Sequence, residues 1–265
     1  MRRSDRLKGE VSPISHPFLG VKNEMLHEGE RLDYLIKENL RIVQNDDVFS
    51  FSTDALLLAH FTHVRKQDKI LDLCSGNGVI PLLLSDKGQN KIVGVEIQPP
   101  LVDMAKRSIT YNQLSTQIEM LQLDLKEAHK HFNPSEFSLV TCNPPYFKVN
   151  QQHQHQKHAH KIARHEIACT LEDCCFAARH LLKQGGRLVM VHRAERLMDV
   201  LSSMRYYQIE PKKLYFIYSK HNRAAQTIVV EGRKGGSQGL EIQPPFYIYN
   251  EDGAYSKEMS EIYYG

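Results

Sequence analysis

The run Lys69-Ile70-Leu71-Asp72-Leu73-Cys74-Ser75-Gly76-Asn77-Gly78-Val79-Ile80-Pro81 sets a short apolar strand against a turn of small residues and then a helix start. That order is the opening unit of a parallel sheet, because parallel neighbours need a crossover and a helix supplies it. Gly76 and Gly78 let the backbone approach a ligand closely, and Pro81 suits a first helical turn, where its missing N–H is no loss. A nicotinamide-binding fingerprint requires a third glycine at position 81; proline stands there, which disfavours NAD. Gly76 and Gly78, with the residues around them, read as a nucleoside-cofactor loop.

Two more strands follow with polar ends. Lys91 to Glu96 closes on a carboxylate about twenty residues after the glycine turn, the distance at which an acidic side chain accepts two hydrogen bonds from a ribose diol. Ile118 to Leu123 ends at Asp124, a candidate acceptor for the amino group of an adenine; its plainer role is N-cap of Leu125-Lys126-Glu127. The apolar run Phe137-Ser138-Leu139-Val140-Thr141-Cys142 then meets Asn143-Pro144-Pro145-Tyr146. Two prolines cannot extend a buried strand, so the chain leaves the sheet here in a stiff direction with its carbonyls free. The Asn143 side-chain oxygen and the Pro144 carbonyl are placed to accept the two hydrogens of one planar NH₂ group, with Tyr146 stacked on the attached ring.

In this order the pieces resemble the class I S-adenosylmethionine-dependent methyltransferases, and the NPPY form resembles the branch that methylates exocyclic or amide nitrogens. Over roughly residues 30 to 265 the chain resembles the bacterial tRNA1(Val) adenine N6-methyltransferase family. The resemblance implies a Rossmann-like α/β fold: a mostly parallel seven-stranded sheet, helices on both faces, and a C-terminal antiparallel hairpin. It implies S-adenosylmethionine as cofactor, held by Phe51, Thr53, Asp72, Cys74, Ser75, Gly76, Asn77, Gly78, Glu96, Ile97, Asp124, Leu125 and Asn143. Asn143, Pro144, Pro145 and Tyr146 carry the catalysis, on RNA and specifically tRNA. In that family the stretch matching Phe51-Ser52-Thr53-Asp54-Ala55 helps close over the methionine part. Arg164-His165-Glu166 and Ile248 to Gly253 also look like family segments.

At 265 residues with 41% apolar residues, the chain holds one α/β domain with modest appendages. Residues 1–28 read as a flexible leader and 29–265 as a single methyltransferase domain, with a lead-in over 29–66. Helices are expected near 79–86, 100–112, 167–183 and 194–205, the third closed by Gly185-Gly186 as a C-cap pair. Strands are expected near 186–192, 212–218 and 225–232. Cys74, Cys142, Cys169, Cys174 and Cys175 lack a paired C-x-x-C pattern, which reads as reduced thiols and no metal. No apolar run reaches bilayer length and no signal peptide is present, so the expected location is the cytoplasm, with no membrane partner.

The net charge of +3 is too small to announce nucleic acid, but it is unevenly spread. Residues 147–165 hold Lys148, Lys157, Lys161, Arg164 and five histidines, with no acidic residue. This Gln/His-rich stretch reads as a polyanion-seeking lid beside the Asn-Pro-Pro-Tyr turn, with Phe147 a second stacking ring. A second basic run spans Arg193 to Lys234. Competing readings are a protein glutamine N5-methyltransferase, whose amide offers the same NH₂, a DNA adenine methyltransferase, and an RNA-binding module without catalysis. The short lead-in disfavours the first, the lack of room for a target-recognition domain the second, and the intact Asp72, Gly76, Gly78, Glu96 and Asn143 the third.

Overall fold

The computed structural model describes residues 25–45, 52–145 and 169–265. Strands β1 (Glu30–Leu35) and β2 (Leu40–Asn45) form an antiparallel hairpin ahead of helix α1 (Thr53–Phe61). Strands then alternate with helices: β3 (Ile70–Leu73), α2 (Val79–Ser85), β4 (Ile92–Glu96), α3 (Pro99–Tyr111), β5 (Ile118–Gln122), the single turn α4 (Ala128–His131) and β6 (Phe137–Cys142). After them come α5 (Leu171–Leu181), β7 (Leu182–Arg193), α6 (Leu197–Tyr206), β8 (Ile209–Tyr218) and β9 (Ala225–Lys234). Two short strands, β10 (Glu241–Ile242) and β11 (Phe246–Tyr247), and helix α7 (Lys257–Tyr263) complete the described chain.

The seven long strands of the main sheet run β5-β4-β3-β6-β7-β9-β8, parallel from β5 to β7, with β9 antiparallel to both its neighbours. This is the expected sheet and closing hairpin; β10 and β11 add two residues each alongside β8. Alternation along the strands sorts the core into two layers. Ile70, Ile92, Leu139 and Val189 pack with Leu57, Leu82 and Ala105 from α1, α2 and α3. Leu71, Leu73, Val140 and Leu188 pack with Ala178 of α5 and Val200 and Met204 of α6. All four residues of β3 are buried, as a central parallel strand covered on both faces requires.

Helix α1 is apolar along Ala55–Ala59 and lies in the first layer. Its last turn is closed from outside: Lys87 Nζ donates to the carbonyls of Ala59, His60 and Thr62 at 2.6, 3.0 and 2.9 Å, satisfying acceptors that the helix cannot. The hairpin is tied to α3 by Val43 N–H donating to Ser108 Oγ and Arg41 N–H donating to Asn112 Oδ1, both at 2.9 Å. Met25 and Leu26, which the sequence assigns to the leader, pack with Val43, Leu101 and Met104. Residues 1–24 of that leader lie outside the described residues.

One local expectation is corrected. Helix α5 begins with a capping box between Thr170 and Asp173 and ends at Leu181, without Gly185-Gly186 as its C-cap. The chain enters β7 at once, because Leu182 already pairs with Phe137 of β6. Between Leu182 and Arg187 the strand bulges opposite Phe137 to Leu139, and the glycines serve the bulge. Gly185 has φ 74, and a Cβ on Gly186 would stand 2.9 Å from the Lys183 carbonyl oxygen. Strand β8 likewise starts earlier than expected, at Ile209, and carries Pro211 at a register irregularity, where a missing N–H is tolerated. Among the described residues no helix is long and apolar enough to cross a membrane.

Candidate functional site

Adjacent parallel strands bring their carboxyl ends to one rim. In the order β5-β4-β3-β6, that rim carries Asp124, Glu96, the Cys74–Gly78 loop and Asn143. Open α/β sheets bind ligands on such a rim, outside the strand ends. The register sets Asp72 against Thr141 and Leu73 against Cys142, so the loop and the Asn143-Pro144-Pro145 turn leave the sheet side by side.

The loop is built from left-handed residues. Cys74, Gly76 and Gly78 have φ of 58, 58 and 81°. Left-handed backbone is costly for a residue with a Cβ, and Cys74 holds it because both flanks are fixed: Leu73 lies in the buried β3 ladder, and Ser75 N–H donates to the Val95 carbonyl at 3.0 Å. At Gly78 glycine is required twice over, since a Cβ would also stand 2.9 Å from Ala105 Cβ on α3. Gly78→Ala is therefore expected to lower stability by about 1–3 kcal/mol, read as a shift in the urea midpoint with unchanged slope. An unshifted midpoint would mean that the loop does not hold this conformation in solution.

Glu96 is buried and both of its oxygens already accept backbone donors: Gly76 N–H at 3.0 Å and Gln98 N–H at 2.9 Å. The carboxylate braces the loop while keeping lone pairs for further donors. Asn77 is fully buried and donates from Nδ2 to the Val43 carbonyl at 3.0 Å, which ties the loop to β2. Nothing in the sequence announces that tie. Asp124 is the N-cap of the short turn Leu125–Glu127, accepting from Lys126 N–H at 2.9 Å, so its plainer role is realised. Leu125 is buried, whereas Ile97, beside Glu96, is exposed. Thr53 is exposed at the start of α1, and the next residue, Asp54, accepts from Thr227 Oγ1 at 3.1 Å. Thr227 pairs with Arg193 at the carboxyl end of β7, which places Thr53 on the same rim.

Asp72 is the electrostatic centre of the loop. It is fully buried; Oδ1 accepts from Thr141 Oγ1 at 2.6 Å, and Oδ2 has no hydrogen-bond partner. Burial, opposed by the Thr141 hydrogen bond and the nearby Ser75 hydroxyl and reinforced by the neighbouring charge of Glu96, pushes its carboxyl up to about 7. Asn77 Oδ1 is a second buried oxygen without a partner. Two unsatisfied acceptors beneath a left-handed loop suit a ligand that brings donors and positive charge.

Asn143 and Pro145 are half-buried and Pro144 is buried at the end of β6. Phe51, Tyr146, Phe147, Lys148, Lys157, Lys161 and Arg164 lie outside the described residues. Much of the second basic run is engaged internally: Arg196 pairs with Asp199, Arg205 with Glu210 at 3.3 Å, and Lys234 is buried. The cysteines are free, and the fold gathers four of them at the base of this rim. The Sγ atoms of Cys74, Cys142 and Cys174 lie within 4.8 Å of one another, and Cys169 Sγ lies 3.6 Å from Cys74 Sγ. Hydrogen bonds to Cys142 and Cys169 pull the Cys74 thiol down while Cys174 and burial push it up, leaving it at about 11.

Comparison with known proteins agrees with this architecture. A tRNA1(Val) (adenine(37)-N6)-methyltransferase of Aliivibrio salmonicida is 24% identical over 225 residues, covering 80% of this chain and 87% of its own. The enzyme of the same name from Haemophilus influenzae (strain PittEE) is 24% identical over 230 residues, covering 85% and 94%. Among solved structures, a "predicted O-methyltransferase" from Agrobacterium tumefaciens superposes with a TM-score of 0.63 at 18% identity, over 79% of this chain and 95% of its own. A 16S rRNA N2 G1207 methyltransferase of T. thermophilus, in complex with AdoMet and guanosine, gives a TM-score of 0.55 at 18% identity, over 77% and 50%. Residues 39–218 match the Methyltransferase small domain, most of the sheet and its whole candidate rim, and the chain belongs to that family.

Proposed function

We propose that this chain transfers a methyl group from S-adenosylmethionine to the exocyclic N6 of an adenine in RNA, with tRNA as the substrate, in the cytoplasm. The observation that carries the reading is the adjacency of the Asn143-Pro144-Pro145 turn to the left-handed Cys74–Gly78 loop at paired strand ends. The curated relatives named as tRNA adenine N6-methyltransferases support the choice of substrate. When bound, the cofactor supplies an electrophilic methyl group on a sulfonium with a neutral thioether as leaving group. Asp72, Glu96, Asn77, Asp124 and Asn143 are the polar groups that would hold it, together with Cys74, Ser75, Gly76, Gly78, Ile97, Leu125, Phe51 and Thr53.

The amine lone pair of adenine is delocalised into the ring and attacks poorly while the nitrogen stays planar. Asn143 Oδ1 and the Pro144 carbonyl accept its two hydrogens, hold the nitrogen in a pyramidal geometry, and stabilise the positive charge that grows on it. No strong base is needed. Tyr146 and Phe147 hold the base by stacking once it has left its neighbours, a step easiest in unpaired RNA. Lys148, Lys157, Lys161 and Arg164 supply the charge that draws phosphates to this end of the sheet. Purified protein with cofactor and unmodified tRNA is expected to yield N6-methyladenosine on nucleoside mass spectrometry. Methyl incorporation into protein glutamine, with none into RNA, would replace this reading.

Asp72 gives the cofactor site a pH dependence. Its carboxyl titrates near 7 in the folded chain against an ordinary value of 3.8, so below neutrality the folded protein keeps a proton that the unfolded chain has lost. Stability without ligand therefore falls as pH rises between about 4 and 7, then levels. The ionised form is the one that attracts a cationic cofactor. Affinity for S-adenosylmethionine is expected to rise with pH up to about 7, at most roughly tenfold per unit, and Asp72→Asn is expected to flatten that dependence. Calorimetric titration of both proteins from pH 5.5 to 8.5 checks it; parallel profiles would remove Asp72 from the site.

A further inference from the structure

Four of the five cysteines converge, although they lie up to a hundred residues apart in sequence. Cys74 belongs to the cofactor loop, Cys142 is the last residue of β6 and directly precedes Asn143, and Cys169 and Cys174 bracket the start of α5. From this geometry we infer a thiolate metal site: Cys74, Cys142, Cys169 and Cys174 bind one soft divalent cation, Zn²⁺, beneath the cofactor loop.

The distances suit a single ion. Tetrahedral zinc with sulfur at about 2.3 Å has sulfur-to-sulfur edges of about 3.8 Å. The trio Cys74, Cys142 and Cys174 lies within 4.8 Å of one another, and Cys169 stands outside that mutual group but reaches it through Cys74, 3.6 Å away, so the trio forms the core of the site and Cys169 its fourth ligand. A four-iron cluster sits between its thiolates and would spread them well beyond these distances, so the crowding selects a mononuclear ion. The burial is also appropriate. Cys142 and Cys174 are fully buried, which shields the bonds from water, while Cys74 and Cys169 are partly exposed and provide an entry path.

The spacing also fits: Cys169 and Cys174 are separated by four residues, within the ligand spacing of structural zinc sites. Binding releases the thiol protons to solvent and forms sulfur–metal bonds, with no change of oxidation state. Such an ion would join three elements that the reaction needs in register: the cofactor loop, the end of β6 at Asn143, and the start of α5. It would thereby pin both flanks of the stretch 146–168. The inference does not depend on the reaction, because its readouts are metal content and spectrum.

The full-length chain, purified under reducing conditions and stripped with a chelator, is titrated with Zn²⁺ against a chromophoric competitor and separately with Co²⁺. The expected result is one Zn²⁺ per chain and, with Co²⁺, an intense sulfur-to-cobalt charge-transfer band with tetrahedral ligand-field bands. Cys174→Ser is expected to weaken Zn²⁺ by about 100-fold or more and to reduce that band. Cys175→Ser, which alters a buried thiol outside the group, leaves both unchanged. Circular dichroism of each variant shows that it is folded. Absence of metal uptake by the folded parent overturns the site. Co²⁺ bound without the charge-transfer band also overturns it, since the five histidines between 153 and 165 would then be the ligands. So does equal Zn²⁺ affinity in Cys174→Ser.

Discussion

Asn143→Ala is expected to slow methyl transfer by about 10²–10³-fold, the range found when one preorganised polar contact to a developing charge is removed. The position explains the size. Asn143 follows the buried Cys142 at the end of β6 and precedes two prolines, so its backbone has little freedom. Adenine loses one of its two acceptors in the variant, and the nitrogen spends less time in the reactive geometry. Cofactor affinity should fall much less than the rate, because Asn143 is one contact among many and Asp72, Glu96 and the left-handed loop are untouched; the main loss should fall on the rate at saturating cofactor. Single-turnover methylation of unmodified tRNA measures it. A parental rate in Asn143→Ala would take the chemistry away from this turn and, with it, the proposed substrate class.

What the sequence revealed about this site follows from how local each signal is. The strand, glycine turn and helix at 69–81 lie within one short stretch, and periodic burial with Gly and Pro chemistry marks them directly; the fold places them as expected. Glu96 and Asp124 were legible by their strand ends, but their contacts were not. Glu96 braces Gly76 and Gln98, and Asp124 caps a turn, and these bonds depend on which strands become neighbours. Gly185-Gly186 misled because a glycine pair after a helical stretch has the same local appearance as a C-cap. Only the pairing of Leu182 with Phe137 decides for a bulge. The cysteine group was invisible for the same reason at longer range: Cys74, Cys142 and Cys174 meet through the β3–β6 register and the docking of α5, not through spacing.

Long-range pairing also governs the other large effect. Arg187 on β7 reaches Asp68, just ahead of β3, with a 2.7 Å contact; their side chains are 4% and 6% exposed. The guanidinium also donates to the His63 carbonyl at 2.8 Å and faces Glu231 at 3.8 Å, while Asp68 accepts from Arg65 N–H at 2.7 Å and Ser138 Oγ at 2.8 Å. Burial lowers the Arg187 pKa while Asp68 and Glu231 hold it up, so the ion pair stands or falls as a unit. Removing one partner leaves the other as an uncompensated buried charge, and Arg187→Met is therefore expected to cost about 3–5 kcal/mol. Against a total stability of roughly 5–15 kcal/mol, that is enough to lower the melting temperature by about 10 °C. Asp68→Asn in the same chain removes the orphaned charge and keeps one acceptor oxygen for Arg65 N–H, while its amide NH₂ faces the Ser138 hydroxyl, which can turn to accept. The double variant should therefore be more stable than Arg187→Met alone, a coupling read from urea midpoints in a double-mutant cycle. Additive losses, or a cost below about 1 kcal/mol for Arg187→Met, would show that the pair is solvated and that packing alone joins these strand beginnings.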